Sequence, residues 1–375
     1  MTDALPPKPP AGRKFPCVQC GARLDFDPRA CGLVCPYCGH LEVIVTDEVS
    51  EVVERDYLDA LSRADTAVTK VAGHATETKC PGCGAVVLLD DAVAADACPF
   101  CTTHLEAAPA AESGRLPPES LIPFAVDLRG AREAFGAWIA SRWFAPTELK
   151  AVLALGRLVG VYLPYWTYDS ATDTRYEGER GTDYQETQHY TQTLSDGGTE
   201  SRTRTVTRTR WTPTAGDVSV AFDDVLVPAT ASLSAARLDA IGDFKLKKLQ
   251  PFDAAYLSGF QAERYAIDLK AGFAQAKELM QPGVVRAIED DIGGDHQRIH
   301  NRRTRYTAVT YKHLLLPAWV AAYRYNGTVY QVTVNGQSGV VAGERPWSVS
   351  KLAGVTLAVL VVVAAVAAVV MAMQR

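Results

Sequence analysis

Eight of the nine cysteines stand in four Cys-x-x-Cys pairs, Cys17/Cys20, Cys35/Cys38, Cys80/Cys83 and Cys98/Cys101, and nothing else in the 375 residues constrains the fold as tightly. Fourteen residues separate the second cysteine from the third in both "CVQCGARLDFDPRACGLVCPYCGHLE" and "CPGCGAVVLLDDAVAADACPFCTTHLE", and both stretches end in His-Leu-Glu. A small module has been duplicated. A Cys-x-x-Cys turn brings two sulfurs onto one ion, and two such turns complete the tetrahedral thiolate set of a structural zinc site. Glycines after Cys20, Cys38 and Cys83 ease the turn. The spacing therefore predicts two zinc ribbons, each closed by four cysteines with no coordination position left for water. A redox pair, a rubredoxin-like iron site and disulfides are the competing uses. The N-terminus "MTDALPPKPPAGRKF" lacks the apolar run of a signal peptide, which favours a reducing compartment and metal over disulfides. Cys31 has no counterpart in the second module and reads as a spare thiol; His40 and His104, just past the last ligand of each ribbon, read as surface or supporting imidazoles.

The far end of the chain is the second strong signal. From Leu352 to Met373 every residue is Ala, Val, Leu, Met, Gly or Thr, long enough as a helix to cross a hydrocarbon core of roughly 30 Å. Residues 350–373 are expected to be a transmembrane tail anchor, with Arg345, Trp347 and Lys351 at the headgroups on its N-terminal side and the N-terminal bulk in the cytoplasm.

Between these ends the expected class is α+β: two small four-cysteine ribbons, a mixed domain with an antiparallel sheet, and one C-terminal transmembrane helix. The expected organisation is a disordered 1–14, ribbon 1 over 15–45, a connecting amphipathic helix over 46–72, ribbon 2 over 73–106, a Pro/Ala/Glu linker over 107–119, an α+β domain over 120–347, and the anchor. The connecting helix would bury Val49, Val52, Val53, Tyr57, Leu61 and Ala64. "DLRGAREAFGAWIASRW" is a helix with Asp127 as N-cap and Pro146 as stop, and "AERYAIDLKAGFAQAKELM" is a second. "TRTVTRTRW" alternates as a strand, and Asn326-Gly327 suits the turn of a hairpin. "LPYWTYD" at 163–169 and "LPAWVAAYRY" at 316–325, each followed by Gly-Glu-Arg at 178–180 and 343–345, make this domain a candidate for an internal duplication of its own.

Charge bears on the partner. Residues 1–110 hold nine Lys/Arg against sixteen Asp/Glu, the wrong sign for phosphate neutralisation, so ribbons that dock a protein are favoured over ribbons that bind nucleic acid. The one basic feature is the strand "SRTRTVTRTRW", where Arg202, Arg204, Arg208 and Arg210 share a face. That stripe suits anionic lipid, an acidic partner or RNA, or simply protects a solvated edge. No Walker A loop, Gly-x-Ser-x-Gly elbow or His-Glu-x-x-His helix occurs, and the expectation is a protein that is not an enzyme. His296 and His300 have the i,i+4 spacing of helical metal ligands, without a zincin's acid.

Taken together, the paired "CPYCGH"-like knuckles, "IPF", "SRWFAP", "LPYWTYD", "GERG", "LPAWVAAYRYNG", "VNGQSG" and "GERPWS", followed by the apolar tail, resemble bacterial membrane-anchored proteins with tandem TFIIB-type zinc ribbons. Sequences of this kind often bear the automatic label "primosomal protein N′ (replication factor Y), superfamily II helicase". The ribbon alone carries that likeness; without a nucleotide loop the helicase activity does not transfer. The resemblance implies a place in membrane-stress systems with SPFH-domain or phage-shock-type proteins. The expected function is thus a membrane-anchored adaptor holding two structural zinc ions and recruiting cytoplasmic or membrane-associated proteins. The alternative is a membrane-tethered nucleic-acid-binding protein of replication or transcription, and a third reading is an enzyme whose site no motif reveals. The oligomeric state is not readable from the sequence.

Overall fold

A computed structural model describes residues 15–44, 53–64, 76–89, 95–106, 116–142, 158–193, 199–325, 328–344 and 348–373. Ribbon 1 is a three-stranded antiparallel sheet of β1 (Asp25–Asp27), β2 (Gly32–Val34) and β3 (Leu41–Val43). A short β4 (Arg55–Asp56) runs into helix α1 (Tyr57–Ala64). Ribbon 2 contributes β5 (Thr76–Lys79), β6 (Val86–Leu89), β7 (Ala95–Ala97) and β8 (His104–Glu106). The body consists of β9 (Ser120–Leu121), α2 (Leu128–Ala140), β10 (Val159–Thr193), β11 (Thr199–Pro228), α3 (Ala235–Ala240), β12 (Gln250–Pro251), β13 (Gln261–Glu263), α4 (Leu269–Ile292), β14 (His296–Tyr325), β15 (Thr328–Asn335) and β16 (Val341–Gly343). Helix α5 (Val349–Met373) ends the described chain. The molecule is mixed α+β and strand-rich, with most strands joined in one largely antiparallel sheet.

That sheet is organised about a local two-fold. β10 pairs with β14 antiparallel, with Leu163 opposite Leu316. On its other edge β10 takes the short parallel β13 at Val161 and Tyr162, skips Leu163-Pro164, and takes β11 from Tyr165 onward. β14 does the same with β9 at Leu314 and Leu315, skips Leu316-Pro317, and takes β15 from Ala318. A proline cannot donate to a ladder, so in each strand it stands where one neighbour stops and the next begins. The correspondence extends to single hydrogen bonds. The Trp166 indole donates to the Ile267 carbonyl (2.9 Å) and the Trp319 indole to the Val126 carbonyl (2.8 Å). Ala229 donates to Pro164 and accepts from Ala266 and Ile267; Gly336 donates to Pro317 and accepts from Ala125 and Val126. The repeated unit is therefore strand, helix, long strand, hairpin strand: β9-α2-β10-β11 and β13-α4-β14-β15. The two Gly-Glu-Arg stretches do not correspond under it: one lies in the middle of β10, inside the first unit, and the other begins at the last residue of β16, outside the second.

Both repeat helices start with an aspartate cap, Asp127 to the Gly130 amide (2.8 Å) and Asp268 to the Ala271 amide (2.7 Å). α2 buries Ala131, Phe135 and Ile139 as its spacing predicts; Trp143 and Pro146 lie outside the described residues. The second predicted helix begins later than its sequence pattern, because residues 261–263 are taken by β13. It also runs past Pro282 to Ile292, held by the fully buried row Ala276, Met280, Val284, Ile288 and Ile292. Within the described residues the connecting helix begins at Tyr57. Arg55 and Asp56 are drawn into the sheet against β14, and Asp56 caps the helix that follows through the Asp59 amide (2.7 Å). Val53 is left exposed, and Val49 and Val52 lie outside the described residues. Of the predicted linker, Leu116 packs into the core under α4 and Glu119 bonds the His313 carbonyl; residues 107–115 are outside the described set. β14 and β15 form the predicted hairpin, Tyr325 opposite Thr328, around Asn326 and Gly327, which are themselves outside it.

Neither ribbon stands apart. Leu24, Phe26 and Leu33 of ribbon 1 join the core below α2, with Phe26 edge-on to Tyr256 at 5.2 Å. Ribbon 2 extends the main sheet through β6, Ala262 opposite Leu88, and sinks Phe100 into the core on the other side. β10, β11 and the first half of β14 leave the body as a long arm, of which α4 covers one face up to Ile292. Ala353–Met373 within α5 is long and apolar enough to cross a membrane, and none of it is buried by the protein.

Candidate metal centres

The four ligand sulfurs of each ribbon converge: all lie within 4.8 Å of one another. In ribbon 1, Cys17 and Cys38 sulfurs are 3.6 Å apart and those of Cys20 and Cys35 3.5 Å; in ribbon 2, Cys80 and Cys101 are at 3.4 Å and Cys83 and Cys98 at 3.7 Å. A disulfide needs about 2.0 Å. Four thiolates at about 2.3 Å from a tetrahedral ion stand about 3.8 Å apart, so these are the spacings of a metal centre. Four cysteine sulfurs are a donor set that suits zinc.

All four half-sites close alike. In each the first cysteine's amide donates to the carbonyl five residues on, and the amide four residues on returns to the cysteine carbonyl, at Cys17, Cys35, Cys80 and Cys98. The residue four places on has a left-handed backbone: Gly21, Gly39, Gly84 and, in the last, Thr102 at φ 65°. Backbone amides turned toward sulfur favour thiolate. Those of Cys38 and Tyr37 pull the Cys35 thiol down to about 6. In ribbon 2 burial raises the Cys101 thiol but the hydroxyl and amide of Thr103 outweigh it, leaving about 7.

Cys31 is exposed and outside either cluster, its thiol directed at the Pro28 carbonyl. His40 is half-buried and supports ribbon 1 through its carbonyl, which accepts from the Cys35 amide (2.8 Å). His104 opens β8. The i,i+4 spacing of His296 and His300 is not helical. Both are on β14, where four residues span roughly 13 Å, and each imidazole faces a carboxylate of β10: His296 to Asp183 (3.2 Å) and His300 to Glu179 (3.4 Å). A third cluster, the acidic Glu54, Asp169 and Asp223, has no sequence signature because its members are far apart in the chain. Its cation is the protein's own: the buried Lys312 ammonium lies 3.1 Å from Glu54 and 2.8 Å from the neighbouring Asp224.

Arg202, Arg204, Arg208 and Arg210 are exposed on the distal part of the arm, opposite Tyr190, Gln188, Tyr184 and Thr182 of β10. Arg202 pairs with Glu200 (3.1 Å) and Arg208 with Glu186, while Arg204 lies over Tyr190 (5.7 Å) and Arg210 over Tyr184 (5.1 Å). Two of the four charges are thus met within the arm, Arg202 along its own strand and Arg208 across to β10.

No family model matches the chain, and no solved structure matches it. Over 244 residues, 64% of this chain and 67% of the other, it is 25% identical to a protein of Bacillus subtilis (strain 168) described as uncharacterized protein YdjG.

Proposed function

We propose that this protein is a membrane-tethered adaptor: α5 anchors it as a single-pass tail, its bulk lies on the cytoplasmic side, two structural zinc ions fill the cysteine clusters, and ribbon 1 docks a protein partner. One observation carries the reading. Phe100, in the "CPFC" half-site of ribbon 2, is fully buried against the protein's own body, whereas Tyr37, at the same place in ribbon 1, is 82% exposed, with Val18 in the facing half-site 66% exposed. The same aromatic knuckle that fastens ribbon 2 inward is offered outward by ribbon 1, beside exposed Leu41 and Val43. Exposed aromatics rimmed by polar residues are typical anchors of protein interfaces. Likeness to membrane-anchored tandem-ribbon proteins makes an SPFH-domain or phage-shock-type protein the partner of choice. A nucleic-acid client is less favoured, given the acidic ribbons and an arginine stripe half neutralised by Glu186 and Glu200.

The test is affinity capture from native membranes in detergent with mass spectrometry, comparing the intact chain with Tyr37→Ser and with Cys35→Ser/Cys38→Ser. Both changes are expected to remove the same proteins from the captured set. Unchanged recovery with Tyr37→Ser would take the docking role away from ribbon 1. Elemental analysis should give about two zinc ions per chain.

A further inference from the structure

The arm carries a second interaction surface, independent of the ribbons. β14 accompanies β10 only as far as Gly181 opposite His296. There the third strand is stopped: the Asp295 amide donates to the Gly181 carbonyl (2.9 Å), and the Asp295 carboxylate accepts from the Asp183 amide (2.8 Å). These two bonds fix which way the backbone faces. Odd-numbered residues of β10 point to the side β14 has left, and even-numbered ones point to β11, since the two sides alternate along an antiparallel strand. Beyond Asp183 the amides and carbonyls of Gln185, Thr187, His189 and Thr191 therefore face an edge with no strand opposite among the described residues.

Strand edges are normally blunted by proline, bulges or inserted positive charge. The other two edges of the arm are. β11 carries Pro213, and the outer edge of β14 carries Arg302, Arg303 and Arg305 and a backbone reversal at Ala308 (φ 48°). The segment of β10 from Thr182 to Thr193, "TDYQETQHYTQT", has no Pro, Gly, Lys or Arg. It is a strand edge left open to be paired.

We propose that its occupant is the same segment of a second copy of this chain, in antiparallel register about a two-fold axis at Gln188. In that register the four open residues satisfy one another, Gln185 with Thr191 and Thr187 with His189 of the second copy, and reciprocally. Charge supports the choice. Glu186 then faces Tyr190 and Asp183 faces Thr193, whereas an axis two residues earlier would set Glu186 against itself. The result is a four-stranded ribbon, β11-β10 joined to β10-β11, closed by symmetry and presenting no further open edge of this kind.

The test uses the full chain in detergent micelles. Native mass spectrometry is expected to show twice the chain mass, with the metal of both protomers retained. Thr187→Pro removes only an outward-facing amide and leaves the β10–β11 ladder intact, and is expected to give the monomer with its metal content unchanged. In a Cys31→Ser background, Gln188→Cys places two thiols across the axis at a Cα separation of about 4.5 Å, within reach of a disulfide. It is expected to give a covalent dimer, whereas Tyr184→Cys, opposite Gln192, is not. A monomeric wild-type chain, a dimer indifferent to Thr187→Pro, or no linkage through position 188 would each overturn the proposal. Should Thr187→Pro lose metal, and so its fold, the position-188 linkage decides alone.

Discussion

At the scale of single residues, the four half-sites form an internal control. Three place glycine at the left-handed position and the fourth places Thr102 there, at φ 65°. A β-branched residue in that region carries about 1–2 kcal/mol of strain, so Thr102→Gly is expected to stabilise the metal-loaded protein by about 1 kcal/mol, read as a rise in the urea midpoint. The glycines were legible as turn formers after Cys20, Cys38 and Cys83; the exception is visible only by laying one repeat on the other. Two buried ionisable groups set opposite pH dependences. Burial pushes His313, tilted against Trp166 and edge-to-face with Tyr265, down to about 4. The unfolded histidine, near 6.5, takes its proton first, and its contribution to stability falls as pH drops below about 6.5. Burial pushes Glu263 up to about 7 despite hydrogen bonds from Ser232 and Thr230. Here the folded state takes the proton first, so stability is gained as pH falls from 7 toward the unfolded value near 4.5. Glutamine resembles the protonated form. Glu263→Gln is therefore expected to be more stable than wild type by about 3 kcal/mol at pH 8, the difference narrowing to about 1 kcal/mol near pH 5.5 and vanishing below about pH 4, as urea unfolding across that range would show.

At the scale of elements, what the sequence disclosed depended on whether the signal was local. The caps Asp127 and Asp268 act within one turn, and the first was read correctly from its neighbours. The repeated unit was glimpsed through its Leu-Pro dipeptides. Its stronger mark is "FAVDL" at 124–128 against "YAIDL" at 265–269, preceded by β9 and β13, which at two and three residues show no period. The 35-residue β10 and 30-residue β11 were hidden for a different reason: Gly178, Gly181, Pro213 and Gly216 normally end strands. Here the glycines serve close packing. A Cβ at Gly178 would meet the Arg298 carbonyl at 2.3 Å, and one at Gly216 the Tyr176 ring at 2.9 Å. The same constraint governs how α4 sits on β10. A Cβ at Gly272 would lie 2.4 Å from the Tyr168 hydroxyl and 2.8 Å from the Trp166 ring, and that hydroxyl is itself committed to the Leu269 carbonyl at 2.7 Å. Helix propensity alone would make Gly272→Ala stabilising by about 1 kcal/mol. The contact is expected to reverse the sign, to a net loss of about 1–3 kcal/mol, measurable by thermal unfolding against Gly136→Ala on α2, where a Cβ meets nothing.

At the scale of the whole molecule, ligand spacing made the two clusters readable, because a Cys-x-x-Cys turn fixes its geometry within four residues. Their integration was not readable, since it rests on pairings across more than a hundred residues: Ala262 with Leu88 in the sheet, and the Gln331 amide with the Phe100 carbonyl. The two ribbons are attached unequally. Ribbon 1 lays Leu24, Phe26 and Leu33 on the body and pairs with it through the Ser258 backbone and hydroxyl, but donates no strand to the main sheet. Ribbon 2 supplies β5 and β6 to that sheet, and β6 lies on β13, the strand that occupies the two-fold position beside β10. Losing its metal should loosen Phe100 and β6 together and leave one edge of β13 unpaired. Cys98→Ser is accordingly expected to lower the stability of the body by about 2–4 kcal/mol and to speed amide exchange at Ala262 and Glu263. Cys35→Ser is expected to cost about 1 kcal/mol and to leave exchange at those two amides unchanged, its effect confined to ribbon 1 and the Phe26 contact. Equal loss of protection at β13 in both variants would mean that the ribbons are equally part of the core, and the outward-facing knuckle of Tyr37 could then no longer be separated from the stability of the fold that carries it.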